Sequence, residues 1–542
     1  MKELTSDSAW NLSRCRVAAV GAFFALNLAV YLVRILSVWR YGALFCSTAV
    51  ESPMIDSVWR CMNHRPVYAW PFAFPFSLSL YNYLFYYVYA VVLRLMGAWD
   101  TGILTWGRQF TLLFALVGAV AQWRLVRSLL NLRGFASLFS LALAVGLWLC
   151  TSLVKYWALT IRPDMAAAAL VMIALWVVVR QSRFCFAYAG LLLYLAWAFK
   201  QSTVLAFAGL CLWLIFDKRW RDFALLAVVF AALVAATLLL GTPEYRFSIL
   251  IAPQMVRGFA FSLPWVLRAL GAGLTAVGLN LYWVAAPFLL VIRPVNTDTP
   301  CPILSVFFCG KGGKPQHSIR DGSIVRDSGD TNRAGTNVRL LATVFAVALF
   351  VGLADMGKIG GTSNYLFEAF AAGSTLLQLA VFTVPGRLVT ALLLFGCLQP
   401  AVQLMGVAIG YHHPGKKDMV PIATAAEYRD AVALHNRLAM LKKPIFTTDG
   451  VFALPWYSTD NNALALVLDP NFQEVARSRE ENGGVEGMLQ RGEIPTVMLA
   501  SGDLAYLKSL HPGYRKVGES VQQGVTYSIY EFSVGAPVPN QR

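Results

Sequence analysis

Charge is what this chain has least of. Only 14% of its 542 residues are Asp, Glu, Lys or Arg, where soluble globular proteins approach a quarter. Acids are scarcer still, 29 against 45 bases. A soluble globular protein of ordinary composition is therefore excluded. The nine cysteines are scattered, several of them inside apolar runs (Cys150, Cys185, Cys211, Cys397). Cys301 and Cys309 have no matching Cys or His pair, so no structural zinc is expected. Beyond Lys416 there is no cysteine at all, so that part does not depend on disulfides. The adjacent His412 and His413 point different ways on any regular element, with no carboxylate at ligand spacing. The run "GKGGK" lacks the spacing of a phosphate loop and follows no clear strand. No internal repeat is evident.

What the chain does have is apolar length. Hydrophobic residues make up 57% of it, and several runs are long enough to cross the ~30 Å of hydrocarbon in a bilayer. This predicts a mainly α, polytopic membrane helical bundle. The bases concentrate there. Residues 1–415 hold 32 Lys and Arg against 15 acids, whereas 416–542 hold 13 against 14. The chain thus divides into a basic membrane part, 1–414, and a nearly neutral C-terminal α/β domain, 415–542. The basic excess reads as loops on the cytoplasmic side rather than as nucleic-acid binding.

Arg14 and Arg16 precede the first apolar run and place the N-terminus inside. The run is too long for the core of a cleaved signal peptide. Keeping the clusters at 124–133, 180–183, 217–222, 293–339 and 385–387 inside gives about eleven spans. They are 17–37, 108–127, 135–152, 165–180, 184–199, 203–216, 223–240, 273–292, 339–354, 366–384 and 388–409. The first outer loop is then 38–107, the insert 293–338 is a flexible inside loop, and the C-terminal domain lies outside. The aromatic segment 77–97 is long enough to span, but a crossing there would put 124–133 outside. It is expected to lie in the outer interface, where Tyr is favoured. In the tail, strands are predicted at 443–448, 495–500 and 526–532, with helices at 425–441 and 471–482.

Seven of the fifteen acids of the membrane part fall outside or at the outer ends of spans: Glu51, Asp56, Asp100, Asp164, Glu244, Asp355 and Glu368. Arg162, Lys200, Lys358 and Asn364 fall at the same ends. Ionisable groups beside hydrocarbon are costly unless paired or functional. Their gathering at one depth suits a phosphate-bearing substrate and a hydroxyl nucleophile.

Several segments carry a resemblance. "VESPMIDSVWRCMNHRPVY", followed by "YNYLFYYVYA", resembles the first outer loop of the GT-C glycosyltransferases, which use polyprenyl-phosphate sugars. "ALTIRPDMAAAALVMIALWVV", "LAWAFKQSTVLAFAGL" and "MGKIGGTSNYLFEAFAAGSTLL" resemble later segments of that superfamily, including its mannosyltransferase and aminoarabinose-transferase types. The tail is similar to the small α/β domain that closes many members. Many members carry an adjacent acid pair at the first site, where this chain has Glu51-Ser52-Pro53. A divalent metal therefore has no paired-acid motif to hold it, and no cofactor is assigned.

The resemblance implies an inverting transfer of a sugar from a polyprenyl phosphate to an acceptor hydroxyl or amine on the extracytoplasmic face. The acceptor is a lipid, glycan or protein, and the setting a bacterial inner membrane. The alternative is a transporter or flippase of a lipid-linked sugar, but that would favour repeats and midplane polar residues. In the transferase reading Glu51 is the general base, held by the end of the first span and by a short amphipathic helix that begins at Pro53. Asp164 is the alternative base or the orienter of Arg162. Arg162, Lys200 and Lys358 bind the donor phosphate, and Asn364, Tyr68 and Gln201 contact substrate.

Overall fold

The computed structural model describes residues 14–45, 51–73, 78–150, 153–255, 280–292, 328–356, 363–384, 387–408, 423–448, 480–522 and 524–533, with isolated positions at 264–278, 452 and 454. It contains a helical bundle and a small sheet. Among the described residues nine α-helices come first: α1 (Arg14–Tyr41), α2 (Glu51–Met62), α3 (Tyr83–Leu95), α4 (Thr101–Leu130), α5 (Gly134–Cys150), α6 (Asp164–Arg180), α7 (Cys185–Phe199), α8 (Leu205–Phe216) and α9 (Trp220–Leu240). Later come Ser328–Asp355, Phe367–Thr383 and Leu388–Ala408. Six helices of the described residues are long and apolar enough to cross a bilayer. The chain is an integral membrane protein.

Most expected spans coincide with single helices, but three details differ. The segment 273–292 ends in two short pieces, Leu281–Val284 and Ala286–Ile292. They meet at Ala285, beside Pro287, whose missing N–H interrupts the helical ladder. Helix Ser328–Asp355 starts within what composition marks as a flexible insert; residues 293–327 lie outside the described residues. And α4 begins at Thr101, so Arg108, taken as the start of a span, sits inside a helix. Helix α3 has 13 residues, ~20 Å at 1.5 Å per residue, which is short of a crossing.

The Phe367–Thr383 helix is the axis of the bundle, buried along almost all its length. At one end Val381 O and Val384 O accept from Arg16 at 2.7 and 2.9 Å, beside the start of α1. Its other end carries Glu368 and adjoins Asn364. Close helix approach depends on missing side chains. A Cβ at Gly118 of α4 would meet the Trp148 ring of α5 at 2.2 Å, and one at Gly209 of α8 would meet Val344 Cα at 2.7 Å. Small residues are how helices approach closely where lipid offers no hydrophobic drive. A fully buried polar network adds directional bonds. Gln122 of α4 donates to Gln378 (2.9 Å) and accepts from Trp148 (2.7 Å) and Ser374 (2.9 Å), while Gln378 donates to Ser140 Oγ of α5 (2.8 Å).

The tail forms a four-stranded sheet in the order β1-β2-β4-β3, with β1 Ile445–Thr447, β2 Thr496–Ala500, β3 Tyr514–Gln522 and β4 Val525–Phe532. β1 and β2 are parallel; β2/β4 and β3/β4 are antiparallel. Helix Ala425–Ala439 begins with a reciprocal capping box between Thr424 and Glu427. Three strands and this helix match expectation. β3 does not: "YRKVGESVQ" is largely exposed, and its register shifts between Lys516 and Gly518, which hides the two-residue period. Of the predicted helix 471–482, residues 471–479 lie outside the described residues, and Glu481–Gly483 forms a single 3-10 turn. The tail touches the same end of the bundle as Asn364. Ala423 bonds Ser37 of α1, and the Glu481 amide donates to Phe72 O at 2.8 Å.

Candidate active site at one end of the bundle

The loop between α5 and α6 makes a 3-10 turn, Lys155–Leu159, is extended at Thr160 and has already turned helical at Pro163. It delivers Arg162 and Asp164 to the bundle end, where Asp164 opens α6. Asp164 suits that position, since a carboxylate there complements the helix dipole. Around it three other residues converge. Arg162 Nε donates to Asp164 Oδ2 at 3.0 Å, Lys200 Nζ to Oδ1 at 2.6 Å, and Asn364 Nδ2 to Oδ1 at 2.9 Å. Lys200 stands in the extended link between α7 and α8. All four residues are buried, none more than 7% exposed. The group holds two cations and one carboxylate, an excess of one positive charge in a low-dielectric site. Sequence reasoning placed these four residues together, and the fold does so.

Arg162 is further held in place. Its guanidinium lies 4.2 Å from the Trp157 ring centroid and donates to the Tyr81 hydroxyl. Burial pushes the Tyr81 hydroxyl above the usual tyrosine range, so it remains a neutral phenol. Tyr81 was missed as a site residue; its signal, one Tyr among many in an aromatic run, is weak.

Asp164, Lys200 and Asn364 line a small cleft of about 20 Å³, whose walls include Ala167, Ala168, Thr203, Tyr365 and Glu368. Glu368 was seen only as one of the outer acids. Its Oε2 accepts the Ala206 amide at 2.7 Å, so it caps the start of α8.

Other expected residues sit differently. Glu51 is fully buried and does not line the cleft. Arg108 of α4 donates to its Oε1 at 3.0 Å and Oε2 at 2.7 Å, and the Ile161 amide donates to Oε1 at 2.9 Å. Arg108 also bonds the carbonyls of Gly42 and Phe45. Glu51 thus ties α1, α4 and the Arg162 loop together. α2 starts at Glu51, not at Pro53, and nearly all of it is buried rather than half-exposed. Tyr68 donates to Tyr81 O at 2.8 Å, and Gln201 donates to Leu80 O at 2.7 Å. Both hold the backbone that carries Tyr81. Gln201 Oε1 is buried with no hydrogen-bond partner among the described residues. Asp56 pairs with Arg60 at 3.0 Å within α2, and burial raises its pKa. Lys358 lies outside the described residues. Among the described residues, no three His, Cys, Asp or Glu side chains are grouped to hold a metal ion.

This fold, a helical bundle with a small four-stranded sheet, is shared with solved structures. In particular it is similar to the crystal structure of ArnT from Cupriavidus metallidurans bound to undecaprenyl phosphate. The TM-score is 0.58 at 13% identity, over 96% of this chain and 99% of that one. The apo form of the same protein gives 0.50 at 13% identity, over 94% and 97%. The oligosaccharyltransferase of Archaeoglobus fulgidus gives 0.47 at 12% identity, over 96% and 75%. No family model matches the chain, and no curated protein matches it in sequence.

Proposed function

We propose that this protein is a glycosyltransferase that moves a sugar from a polyprenyl phosphate to an acceptor hydroxyl or amine on the extracytoplasmic face of the membrane. One observation carries the reading: Asp164 clamped between Arg162 and Lys200 in a cleft at the bundle end. The shared fold with a protein captured on undecaprenyl phosphate supports it.

The proposed chemistry is an exchange of partners. An arriving phosphate competes for Arg162 and Lys200, the fork of Arg matching two phosphate oxygens and Lys adding a point charge. As the cations turn to the phosphate, Asp164 loses its counter-charges and becomes a base. The acceptor O–H (or N–H) gives its proton to the Asp164 carboxylate while its electron pair forms the bond to the anomeric carbon. The bond from that carbon to the phosphate oxygen breaks, and its pair leaves with the phosphate. Fixed cations stabilise that growing charge. Displacement from the opposite face inverts the anomeric centre. Glu51, with both oxygens engaged by Arg108, is assigned a positioning role: through the Ile161 amide it fixes the loop that carries Arg162.

The test is direct. Purified protein in nanodiscs is titrated with undecaprenyl phosphate, then assayed for release of that lipid phosphate from a sugar-loaded donor. Binding weakened about tenfold or more by Arg162→Gln and by Lys200→Gln, with transfer slowed about 10²-fold or more by Asp164→Asn, is expected. Binding without any transfer across donors and acceptors would favour a carrier of lipid-linked sugars instead.

A further inference from the structure

At the end of the bundle opposite the cleft, a short turn joins α6 to α7 and another joins α8 to α9. α6 opens beside the cleft at Asp164 and closes at Arg180, so the two ends stand ~25 Å apart at 1.5 Å per residue. α7 starts at Cys185 and α9 at Trp220, and α7 runs back to Lys200. The two starts are neighbours. The Arg219 guanidinium, just before α9, lies 4.9 Å from the centroid of the Phe186 ring of α7. A Cβ at Gly190 of α7 would meet Leu226 O of α9 at 3.0 Å.

The two turns and their flanks are basic. They hold Arg180, Arg183, Lys218, Arg219 and Arg221 against Asp217 and Asp222. Arg219 pairs with Asp222 at 2.8 Å. The other four bases are exposed, and among the described residues their side chains make no hydrogen bond or ion pair. Arg180 and Arg183 rest instead against the rings of Trp176 and Phe184, 5.5 and 5.2 Å from the centroids. Behind the bases each helix turns an apolar stripe outward. On α7 the exposed residues are Phe184, Tyr188 and Leu191; on α9 Leu225 and Val228 follow the exposed Arg221. Spacings of three and four keep each stripe on one helix face.

We infer that the rim formed by the starts of α7 and α9 binds an anionic phospholipid: the four unpaired bases hold its phosphate, and its acyl chains lie on the two apolar stripes. The match is one of order and charge. A phospholipid carries its anion at the headgroup and its hydrocarbon behind it, as this rim carries its bases and then its stripes. Arg and Lys lay their stems on apolar surface while the charged head stays at headgroup depth. The forked guanidiniums suit phosphate oxygens, and Lys adds a point charge. Scattered bases at one end of a bundle follow from topology alone. What is particular here is four of them, unpaired, around one packed pair of helices whose outer faces are apolar. The inference does not depend on the transfer reaction.

The experiment places the full-length protein in nanodiscs of phosphatidylglycerol and phosphatidylcholine in equal parts and counts the retained lipids by native mass spectrometry. The wild type is expected to keep phosphatidylglycerol over phosphatidylcholine by about fivefold or more, the worth of one base near an anionic surface. High salt should reduce that preference. Arg180→Gln, Arg183→Gln, Lys218→Gln and Arg221→Gln together should bring it to within about twofold of parity. A comparison variant, Arg124→Gln, Arg127→Gln and Arg133→Gln together, removes bases from the same end of the bundle and should keep most of the preference. A wild type without preference overturns the inference, as does a fourfold variant that retains it. Equal loss in the comparison variant also overturns it, because the preference then belongs to the general field of that end. If the fourfold variant does not fold, the pairs Arg180→Gln/Arg183→Gln and Lys218→Gln/Arg221→Gln are measured separately. Each should lower the preference, and no change in either overturns the inference.

Discussion

Replacing Glu51 with Gln is expected to destabilise the fold, and Arg108 is the reason. Both side chains are fully buried, and the ion pair is bidentate. Removing one partner of a buried pair costs about 3–5 kcal/mol, because the other charge is left uncompensated. Here Arg108 keeps the Gly42 and Phe45 carbonyls, and Gln keeps one acceptor oxygen. The loss should fall at the low end, about 3 kcal/mol. The assay is thermal unfolding in one detergent at one scan rate, for wild type, Glu51→Gln, Arg108→Gln and the double variant. Each single variant should melt several degrees lower. The double variant should lose clearly less than the sum, by about 1–3 kcal/mol, as coupled neighbours do. Because Ile161 is bonded to Glu51, the Arg162 loop should loosen too, so Glu51→Gln should also weaken binding of bare undecaprenyl phosphate. The reasoning is refuted if Glu51→Gln melts with the wild type and binds the lipid normally while turnover disappears. That pattern belongs to a carboxylate that works on the acceptor proton, the role its place after the first span suggested.

Asp164→Asn should lower turnover by about 10²-fold or more, as loss of a general base does; a rate within fivefold of wild type in a verified transfer assay would remove Asp164 from that role. Arg162→Gln and Lys200→Gln should each weaken undecaprenyl phosphate by about tenfold or more, since charge-assisted hydrogen bonds are worth about 1.5–3 kcal/mol. Unchanged affinity in both would refute the phosphate assignment. Helix α3 should not cross the membrane: a cysteine placed at Trp99 in a cysteine-free background should react with an impermeant reagent from the same side as the tail domain, and reaction from the opposite side alone would overturn this.

The bundle was legible because hydrocarbon imposes length, and length is visible in a sequence. The clustering of Arg162, Asp164, Lys200 and Asn364 was legible for a related reason. Charges at span ends are expensive, so their shared depth carries information. What depth does not reveal is direction. Glu51 and Asp164 stand at equivalent heights in the sequence pattern, but one turns into Arg108 and the other into the cleft. Arg108 itself was in view. It stands at the first position of the expected span 108–127, yet it is an interior residue whose partner lies 57 positions away. Long-range pairings of this kind leave no local period. β3 escaped for the opposite reason: its side chains are mostly solvated and its register breaks, so its sequence has no buried face to announce.

The glutamine network in the bundle has a consequence for biogenesis. Gln122 and Gln378 are 256 residues apart. At a synthesis rate of about 5–20 residues per second, the second emerges about 13–50 s after the first. Through that interval α4 resides near or in the bilayer with a carboxamide whose final partner does not yet exist. Trp148 and Ser140, in the next helix, arrive within seconds. Trp148 bonds Gln122 in the finished protein. The early hairpin of α4 and α5 can therefore shelter the amide until the axial helix arrives, docks its Gln378 amide on Ser140 and closes the network. Shortening the delay is not open to the cell, but lengthening it is. Slowed translation between α5 and the axial helix should make the nascent chain a better substrate for membrane quality-control proteases, and Gln122→Leu should relieve that sensitivity.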